Sequence, residues 1–415
     1  MSKTRILSRV IFLCTSVFLE FSERFNQNFR MDMKLFICLL LASVSAFAGD
    51  LEEMYKSEVR KVTSSEFTSK FGKFKWGGVN KRVAVSKSSS LFDYKVLEAI
   101  AYFNTEEKLL RLDSWVYNRG DQGVISQEKF EKMYEDLLSK LTEYFKTKPK
   151  KSGISGATRS TAYTFKVSGS EEVSLLVGFE KRPFRPDFIA LVMRNHGRND
   201  RVRGSSEAKK MVEKSSNGDV IVTKIPMIDQ GPKGYCVPAT LARIGQHYGV
   251  DISMHEIAMI AHSSSGGGTS PTLAMQSLKK KYSRVKLKIK DISVKFPGVY
   301  KRSGNSLRAI SQSEAKALSQ KIEDDDRNLK KFRSEVKKQI DKGLIIAWSM
   351  VVGLLPENGK RVPQSGGGHM RMIMGYNTEK DEIIFSDSWG KGHEVKRISA
   401  KSAFIVSSGL YEIIP

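Results

Sequence analysis

Residues 225–240 read IPMIDQGPKGYCVPAT, and this stretch holds Cys236, the only cysteine beyond the first 40 residues. We expect a helix to begin at Cys236, because Pro238 is tolerated in a first turn, where backbone N–H groups have no intrahelical partner. A cysteine at the positive end of a helix dipole is favoured as a thiolate. The Pro/Gly-rich turn before it would fold the Gln230 side chain back toward the sulfur. The stretch therefore indicates a nucleophile with an oxyanion donor.

The N-terminal region predicts export. Residues 33–48 begin with a basic side chain, continue with an apolar run and end in Ala46-Phe47-Ala48, an A-x-A cleavage site before Gly49. We therefore expect a signal peptide cleaved near Ala48 and a secreted, periplasmic or extracellular protein. Because the signal begins late, residues 1–32 are interpreted as a spurious upstream extension, with a long leader as the alternative. In an oxidising compartment the single remaining cysteine is either a buried bystander or a reactive thiol.

The domain organisation follows from composition and periodicity. The 415 residues suffice for two or three domains. An α+β domain of unknown role is predicted over 49–203, a basic linker over 204–219 and a second domain over 220–415. In the first domain the pattern predicts a helix over 126–145, capped by Ser126, and strands over 82–86, 108–117, 161–167, 173–179 and 188–193. In the second it predicts helices over 236–248, 253–261, 313–342 and from 270 onward, and strands over 220–224, 285–290, 344–350, 369–376 and 382–389.

The charge is strongly positive. The formal charge is +24, and residues 1–48 carry six basic and three acidic side chains, which leaves +21 on the mature chain. Lysines alternate along the strand predicted over 285–290 and form one basic face. Such a protein could bind an anionic cell-surface polymer or a membrane surface, although a merely solvated surface is the alternative. The sequence contains no aromatic-interleaved basic motif, so nucleic acid is not an expected partner.

No cofactor or metal site is predicted. The glycines at 266–268 are not followed by Gly-Lys-Ser/Thr, so they do not form a phosphate loop. His255 and His262 are seven residues apart on one predicted helix, about 10 Å, and cannot share a metal as an HExxH pair does. No membrane-spanning segment is predicted in the mature chain.

A general base must come from the histidines of the second domain. His247 lies eleven residues along the same helix as Cys236, about 16 Å away at 1.5 Å per residue. His393 follows Gly390-Lys391-Gly392, and we expect it to be exposed. His369 remains, at the start of a strand after Gly366-Gly367-Gly368.

The final predicted hairpin supplies a carboxylate. If its turn pairs Tyr376 with Glu382, Arg371 faces Asp387, and His369 and Asp387 are diagonal neighbours on one face of the sheet. Such neighbours are close enough for an imidazole and a carboxylate to form a hydrogen bond. A slip of one residue would place them on opposite faces. The alternative is that Asp387 is a turn residue and His369 a satisfied core histidine.

Taken together, these motifs resemble a papain-like cysteine peptidase, most of all its bacteriocin-leader-processing (double-glycine) branch. The resemblance covers about residues 220–415 and rests on Gln230, on Cys-x-Pro-Ala at 236–239, on Gly-His at 368–369 and on Asp387. It implies that Cys236 is the nucleophile, His369 the base and Asp387 its orienting group. It also implies that Gln230 helps to stabilise the oxyanion, while Trp389 shields the His–Asp bond. Val237 stands where the branch usually has glycine, which would narrow the site.

Three functions follow from these features. The first is a secreted thiol peptidase acting on peptides or proteins, with α+β, papain-like architecture in its C-terminal domain. The second is an acyltransferase that uses the same site with an amine acceptor. The third is a catalytically inactive papain-like module that binds anionic surfaces through its charge.

Overall fold

The computed structural model describes residues 51–415 except for 57, 105, 155–159, 169–170, 182, 196–203, 233, 251, 262–267, 281–286, 305 and 365. The predicted signal peptide, the residues before it, His196 and His262 lie outside the described residues. Among the described helices, none is both long enough and apolar enough to cross a membrane.

The first half of the described chain is an antiparallel sheet with helices. Its helices are α1 (Glu52–Lys56), α2 (Ser64–Lys70), α3 (Arg119–Gln122) and α4 (Gln127–Phe145), with a 3-10 helix at Glu58–Lys61. Its strands are β1 (Lys75–Trp76), β2 (Val83–Ser86), β3 (Ser90–Leu91), β4 (Tyr94–Lys95), β5 (Glu98–Phe103), β6 (Leu109–Asn118), β7 (Lys150–Ile154), β8 (Ser160–Ser168), β9 (Glu171–Lys181) and β10 (Phe184–Arg194). Eight of them form the first sheet in the order β1-β2-β5-β6-β10-β9-β8-β7, while β3 pairs with β4.

The central strands of the first sheet are buried on both faces. All six residues of β5 are buried, and they alternate between two cores. Ala99, Ala101 and Phe103 pack in a core of this half alone, which includes side chains of α4. Ile100 and Tyr102 point the other way, into the core that contains the helices of the second half. A strand buried on both faces has a nearly continuous apolar run, without alternation.

Helix α4 forms where the sequence predicts it. The Ser126 hydroxyl accepts a hydrogen bond from the backbone N–H of Lys129 at 3.2 Å and caps the first turn. Phe130, Leu137 and Leu141 are buried on one side of the helix, at the spacing of an amphipathic helix.

The second half has its own sheet. Its helices are α5 (Ser205–Lys209), α6 (Cys236–His247), α7 (Met254–Ile260), α8 (Pro271–Lys280), α9 (Gln312–Lys321), α10 (Arg327–Ile340) and α11 (Ala400–Val406). Its strands are β11 (Val212–Lys214), β12 (Asp219–Val222), β13 (Lys288–Asp291), β14 (Tyr300–Ser303), β15 (Ser306–Ala309), β16 (Ile346–Val351), β17 (Gly368–Asn377), β18 (Glu382–Ser386), β19 (Lys396–Ser399) and β20 (Ser407–Ile414). The sheet order is β11-β12-β17-β16-β20-β13, with β18 between β17 and β19, and β14 and β15 form a separate hairpin.

Helix α6 lies against β17. The Thr240 hydroxyl donates to the carbonyl of Met370 at 3.2 Å and joins the first turns of the helix to the beginning of the strand. Val237, Leu241 and Ile244 are fully buried, as the apolar stripe predicts. The packing fixes the start of the helix next to the start of the strand.

Several predicted elements differ in the structure. The single helix predicted over 313–342 is wrong: it divides into α9 and α10, because the Asp326 side chain accepts from the N–H groups of Asn328 and Leu329 and caps a new helix. The segment 204–219, predicted as a linker, contains α5 and β11, and β11 pairs with β12. The expectation that His393 is exposed is also wrong, since its side chain is buried.

Mixed helices and antiparallel sheets agree with the predicted α+β class. Residues 51–415 form one compact unit, in which the core of the second half continues onto the first sheet. The first half therefore has a sheet and a core of its own, while the other face of that sheet belongs to the core of the second half.

Candidate active site

Cys236 is the first residue of α6, and its side chain is partly exposed. Burial acts to raise the pKa of its thiol. Interaction with the His369 imidazole and with the backbone N–H groups of Met370 and Val237 outweighs burial and lowers this pKa below its ordinary value. The sulfur therefore lies in surroundings that favour the thiolate.

His369 lies near the beginning of β17 and is buried. Burial acts to lower its pKa, whereas the bond with Asp387 and the interaction with Cys236 raise it, and the net pKa lies above the ordinary value. A thiol with a lowered pKa beside an imidazole with a raised pKa favours the thiolate–imidazolium ion pair. Such a pair titrates as one unit.

Asp387 lies within hydrogen-bonding distance of His369, with 3.3 Å between Nε2 and Oδ1. The hairpin register explains this contact. At the turn, Tyr376 pairs with Ile383, one residue away from the predicted pairing with Glu382. A bulge at Met374 shifts the register back, so that Met372 pairs with Ser386. Beyond this pair the predicted alignment of 371 with 387 applies, and the imidazole and carboxylate lie on one face.

The loop after β18 covers the imidazole. Trp389 stacks on His369 with 4.3 Å between ring centroids and 6° between ring planes. The carbonyl of His393 accepts from the backbone N–H of Asp387 at 3.0 Å and from the Ser386 hydroxyl at 3.1 Å, which closes the loop. The His393 ring also packs edge-on against Trp389. The tryptophan is thus held where it excludes solvent from the His–Asp contact.

Gln230 lies beside the same loop. Its backbone N–H donates to the carbonyl of Ser388 at 2.8 Å, and its Oε1 accepts from the Ser388 hydroxyl at 2.7 Å. These two bonds fix the amide with its oxygen toward Ser388 and its donor end on the other side. Gln230 also lines the cleft that contains Cys236 and His369.

Asp387 belongs to a buried ion network. Its Oδ1 accepts from Arg371 Nε at 2.7 Å, and its Oδ2 pairs with Lys396 Nζ at 3.0 Å. Glu357 bridges the same two cations at 2.6 Å each. Although burial acts to raise the pKa of Asp387, Arg371 and His369 hold it well below its usual range. Asp387 is therefore a fixed anion, and Glu357 ties a loop of the cleft to it.

A second buried cation supports the backbone at this point. The Arg243 side chain extends from α6 and donates to the carbonyl of Asp387 at 2.5 Å and to the Ser386 hydroxyl at 2.7 Å. It also donates to the carbonyl of Pro226 at 2.8 Å. Arg243 thereby joins the nucleophile helix, the segment before Gln230 and the end of β18.

A cleft of about 850 Å³ opens over Cys236 and His369. Its walls are the start of α8, the β14–β15 hairpin with Tyr300 and Leu307, and Ser408 and Tyr411 of β20. Among the lining residues that the structure describes, none is Lys, Arg, Asp or Glu. The described lining therefore adds no Lys, Arg, Asp or Glu charge to the cleft, although the chain is strongly basic.

The structure thus brings together Cys236, His369, Asp387 and Gln230, the four residues that the sequence singles out. His247 and His255 are buried at other positions. Within the described part of the chain, no group of three or more His, Cys, Asp or Glu side chains could hold a metal ion.

Sequence reasoning missed the supporting residues Arg371, Lys396, Glu357, Arg243 and Ser388. One signal was available: Arg371 shares the strand face of His369 at a spacing of two and faces Asp387 in the predicted register. The contacts of Glu357, in a loop, and of Lys396, at the start of β19, join segments whose proximity no periodicity in the sequence predicts.

A cysteine that begins a helix, next to a histidine held by an aspartate of the neighbouring strand, defines the class of papain-like cysteine peptidases. Residues 222–408 match the model described as Peptidase_C39 like family, and this match supports a papain-like cysteine peptidase of that branch. The match includes all four candidate site residues. No curated protein matches the chain.

Proposed function

We propose that this protein is a secreted thiol peptidase in which Cys236 is the nucleophile, His369 the acid and base, Asp387 its orienting group and Gln230 an oxyanion donor. The observation that carries the proposal is the alignment of Cys236, His369 and Asp387, with the thiol pKa lowered and the imidazole pKa raised. The match of residues 222–408 to a cysteine peptidase family model supports it independently.

The first half-reaction forms a thioester. The Cys236 thiolate attacks the carbonyl carbon of the peptide bond, and the carbonyl electrons move to oxygen, next to the Gln230 amide and the first-turn N–H groups of α6. When the intermediate collapses, the C–N bond breaks and the His369 imidazolium gives its proton to the leaving amine. The product is an acyl-enzyme at Cys236.

The second half-reaction releases the acid. His369, now neutral, takes a proton from water, and the resulting hydroxide attacks the thioester carbonyl. The C–S bond breaks and the carboxylic acid leaves. The electrons return to sulfur, and the thiolate–imidazolium pair forms again. Asp387 stays ionised throughout and holds the imidazole in place.

The cleft supports a substrate that is uncharged near the scissile bond. The lining described above offers amide, hydroxyl and aromatic groups but no carboxylate, ammonium or guanidinium. A charged side chain placed there would lose water without gaining a partner of opposite charge. Peptides with neutral residues on both sides of the bond therefore suit the site best.

The test is cleavage of a peptide library by the mature chain, residues 49–415, and by its Cys236→Ala variant. We expect the wild-type protein to cleave peptides with uncharged residues at the bond, and Cys236→Ala to cleave none while its circular dichroism spectrum is unchanged. Cleavage that persists in Cys236→Ala, or wild-type protein that cleaves nothing, would contradict the proposal. Adding an amine acceptor to the same assay separates hydrolysis from acyl transfer.

N-terminal sequencing of the exported protein tests secretion, for which a start at Gly49 is expected.

A further inference from the structure

The residue immediately before the nucleophile is anchored in the first half of the chain. Tyr235 is buried, and its hydroxyl donates to Oδ1 of Asn118, the last residue of β6, at 3.1 Å. The carbonyl of Tyr235 accepts from the backbone N–H of Ala239 at 2.8 Å, so Tyr235 belongs to the first hydrogen-bonded turn of α6. The turn that carries Cys236 is thereby tied to the end of a strand in the first sheet.

Asn118 is itself held from several sides. Its Oδ1 also accepts from the backbone N–H of Gly120 at 2.8 Å and caps α3. Its Nδ2 lies 3.3 Å from Nδ1 of His255, a buried side chain of α7. His255 pairs with the Glu98 carboxylate of β5 and packs on Trp115 with 4.3 Å between ring centroids. Buried polar side chains therefore link β5, β6, α7 and the start of α6.

A second contact supports the segment that leads to Gln230. A methyl group built on Gly78 would lie 2.6 Å from the Met227 side chain, and one on Gly77 would lie 2.9 Å from the Met227 carbonyl oxygen, so the two backbones are packed closely. Asn80 donates its side-chain amide to the carbonyl of Ile225. The first sheet thus contacts the chain both before Gln230 and just before Cys236.

We propose that the first half of the chain, residues 51–194, is a positioning element of the active site, and that Asn118 and Tyr235 are positioning residues that set the place of Cys236. The reason is geometric: a nucleophile must be held to within about 0.5 Å of its productive position, and a shift of about 1 Å can slow catalysis about 100-fold. The Tyr235–Asn118 bond is a side-chain hydrogen bond that joins the residue before the nucleophile to the first half. The role rests on the proposed function of Cys236.

The first test compares Tyr235→Phe with Tyr248→Phe in the mature chain. Both remove one hydroxyl from a buried tyrosine at an end of α6, but Tyr248 bonds the backbone N–H of Ile345 and not the first half. The rate of alkylation of Cys236 by iodoacetamide is measured at pH 6 and across pH, without any need for a substrate. We expect a rate about ten-fold lower in Tyr235→Phe and a wild-type rate in Tyr248→Phe.

A second test adds a methyl group in the first half of the chain, next to the Tyr235 side chain. A methyl group on Gly120 would lie 2.1 Å from the Tyr235 hydroxyl oxygen, whereas one on Gly72 meets nothing within 4 Å. We expect Gly120→Ala to slow alkylation and Gly72→Ala to leave it unchanged. If Gly120→Ala does not fold, Tyr235→Phe, which deletes a single oxygen atom, decides the matter.

The outcomes separate the two proposals. Wild-type protein that alkylates slowly at pH 6 contradicts the proposed function. A fast wild type together with a folded Tyr235→Phe variant that has the same rate and the same pH profile contradicts the positioning role alone. A slow Tyr235→Phe variant with a melting temperature like that of Tyr248→Phe supports positioning, because loss of stability then does not account for the difference.

Discussion

At the site, a single carboxylate oxygen serves two donors. Asp387 Oδ1 lies 2.7 Å from Arg371 Nε and 3.3 Å from His369 Nε2. A carboxylate held by two buried cations cannot take up a proton readily, so Asp387 acts through orientation and charge rather than as a proton acceptor.

The pH dependence of thiol reactivity tests this electrostatic arrangement. The thiolate–imidazolium pair exists above the lowered pKa of Cys236 and below the raised pKa of His369. We therefore expect alkylation by iodoacetamide to stay fast well below the ordinary thiol pKa of about 8.5. We also expect cleavage to decline as pH rises through the raised pKa of His369, because the leaving amine then lacks its proton donor.

The measurement is the alkylation rate of Cys236 across pH, with glutathione in the same buffers as an unperturbed thiol. A wild-type profile that follows glutathione, with one step near pH 8.5, would show that His369 does not act on the sulfur. The apparent pKa values belong to the coupled pair and are fitted together.

Much of the site could be predicted at the residue scale. Cys236 stood out because it is the only cysteine in its part of the chain, and His369 because distance along a helix removed His247. The prediction that His393 is exposed failed, since a Gly-rich loop reports flexible backbone and not the aromatic neighbour that covers its side chain. Glu357 and Lys396 could not be found, because an ion pair between a loop and the start of a distant strand leaves no spacing pattern in the sequence.

At the scale of elements, the register of β17 with β18 shows what the alternation of side chains along a strand can predict and what it cannot. The alternation predicted that His369 and Asp387 lie on one face of the sheet, and in the structure they do. Near the turn, however, Tyr376 pairs with Ile383 and not with Glu382 as predicted. The bulge at Met374 then restores the predicted register. A bulge adds one residue without a signal in the hydrophobic pattern. The shifted pairing at the turn and the extra residue of the bulge therefore cancelled before the strands reach the site.

The end of α10 offers a test at the same scale. Gly343 N–H bonds the carbonyl of Ile340 at 2.8 Å and Leu344 N–H bonds that of Gln339 at 3.0 Å, which is a Schellman motif with Gly343 at φ +75°. A methyl group there would also lie 2.2 Å from the carbonyl oxygen of Ala208 in α5. We expect Gly343→Ala to lower the free energy of unfolding by more than the roughly 1 kcal/mol that a left-handed alanine costs.

The matched control is Gly304→Ala, which has φ +59° but meets nothing within 4 Å. Urea unfolding followed by tryptophan fluorescence gives both values. Equal losses in the two variants would mean that α5 does not pack on this turn, and would contradict the interpretation of residues 205–209 as an integral element.

At the scale of the whole molecule, two sheets share one core. The periodicity of β6 and β10 predicted strands, but burial patterns report only that a side chain is covered and not by which element. The sequence therefore suggested a first domain of unknown role. In the structure one face of that sheet packs with α6 and α7, next to the nucleophile.

The basic side chains behind the formal charge of +24 lie away from the described lining of the cleft. Lys288 and Lys290 of the edge strand β13 are exposed, while the described lining of the cleft carries no charge apart from its Cys–His pair. Binding of an anionic surface polymer, if it occurs, would therefore involve other surfaces than the one that holds the scissile bond. Salt would weaken such binding without affecting the chemistry at Cys236.

Acylation of Cys236 is the most direct test that this residue is a nucleophile activated by His369. Residues 49–415 are mixed with a 4-nitrophenyl ester, and the intact mass and its position in a peptide digest are recorded. When the reaction is quenched with acid within the first turnover, we expect 4-nitrophenolate to be released and one acyl group to be found on Cys236. The adduct should be absent in Cys236→Ala and strongly reduced in His369→Ala. Wild-type protein that stays unmodified and releases 4-nitrophenolate no faster than Cys236→Ala, or that is acylated only on lysines, would contradict the assignment of Cys236 as the nucleophile.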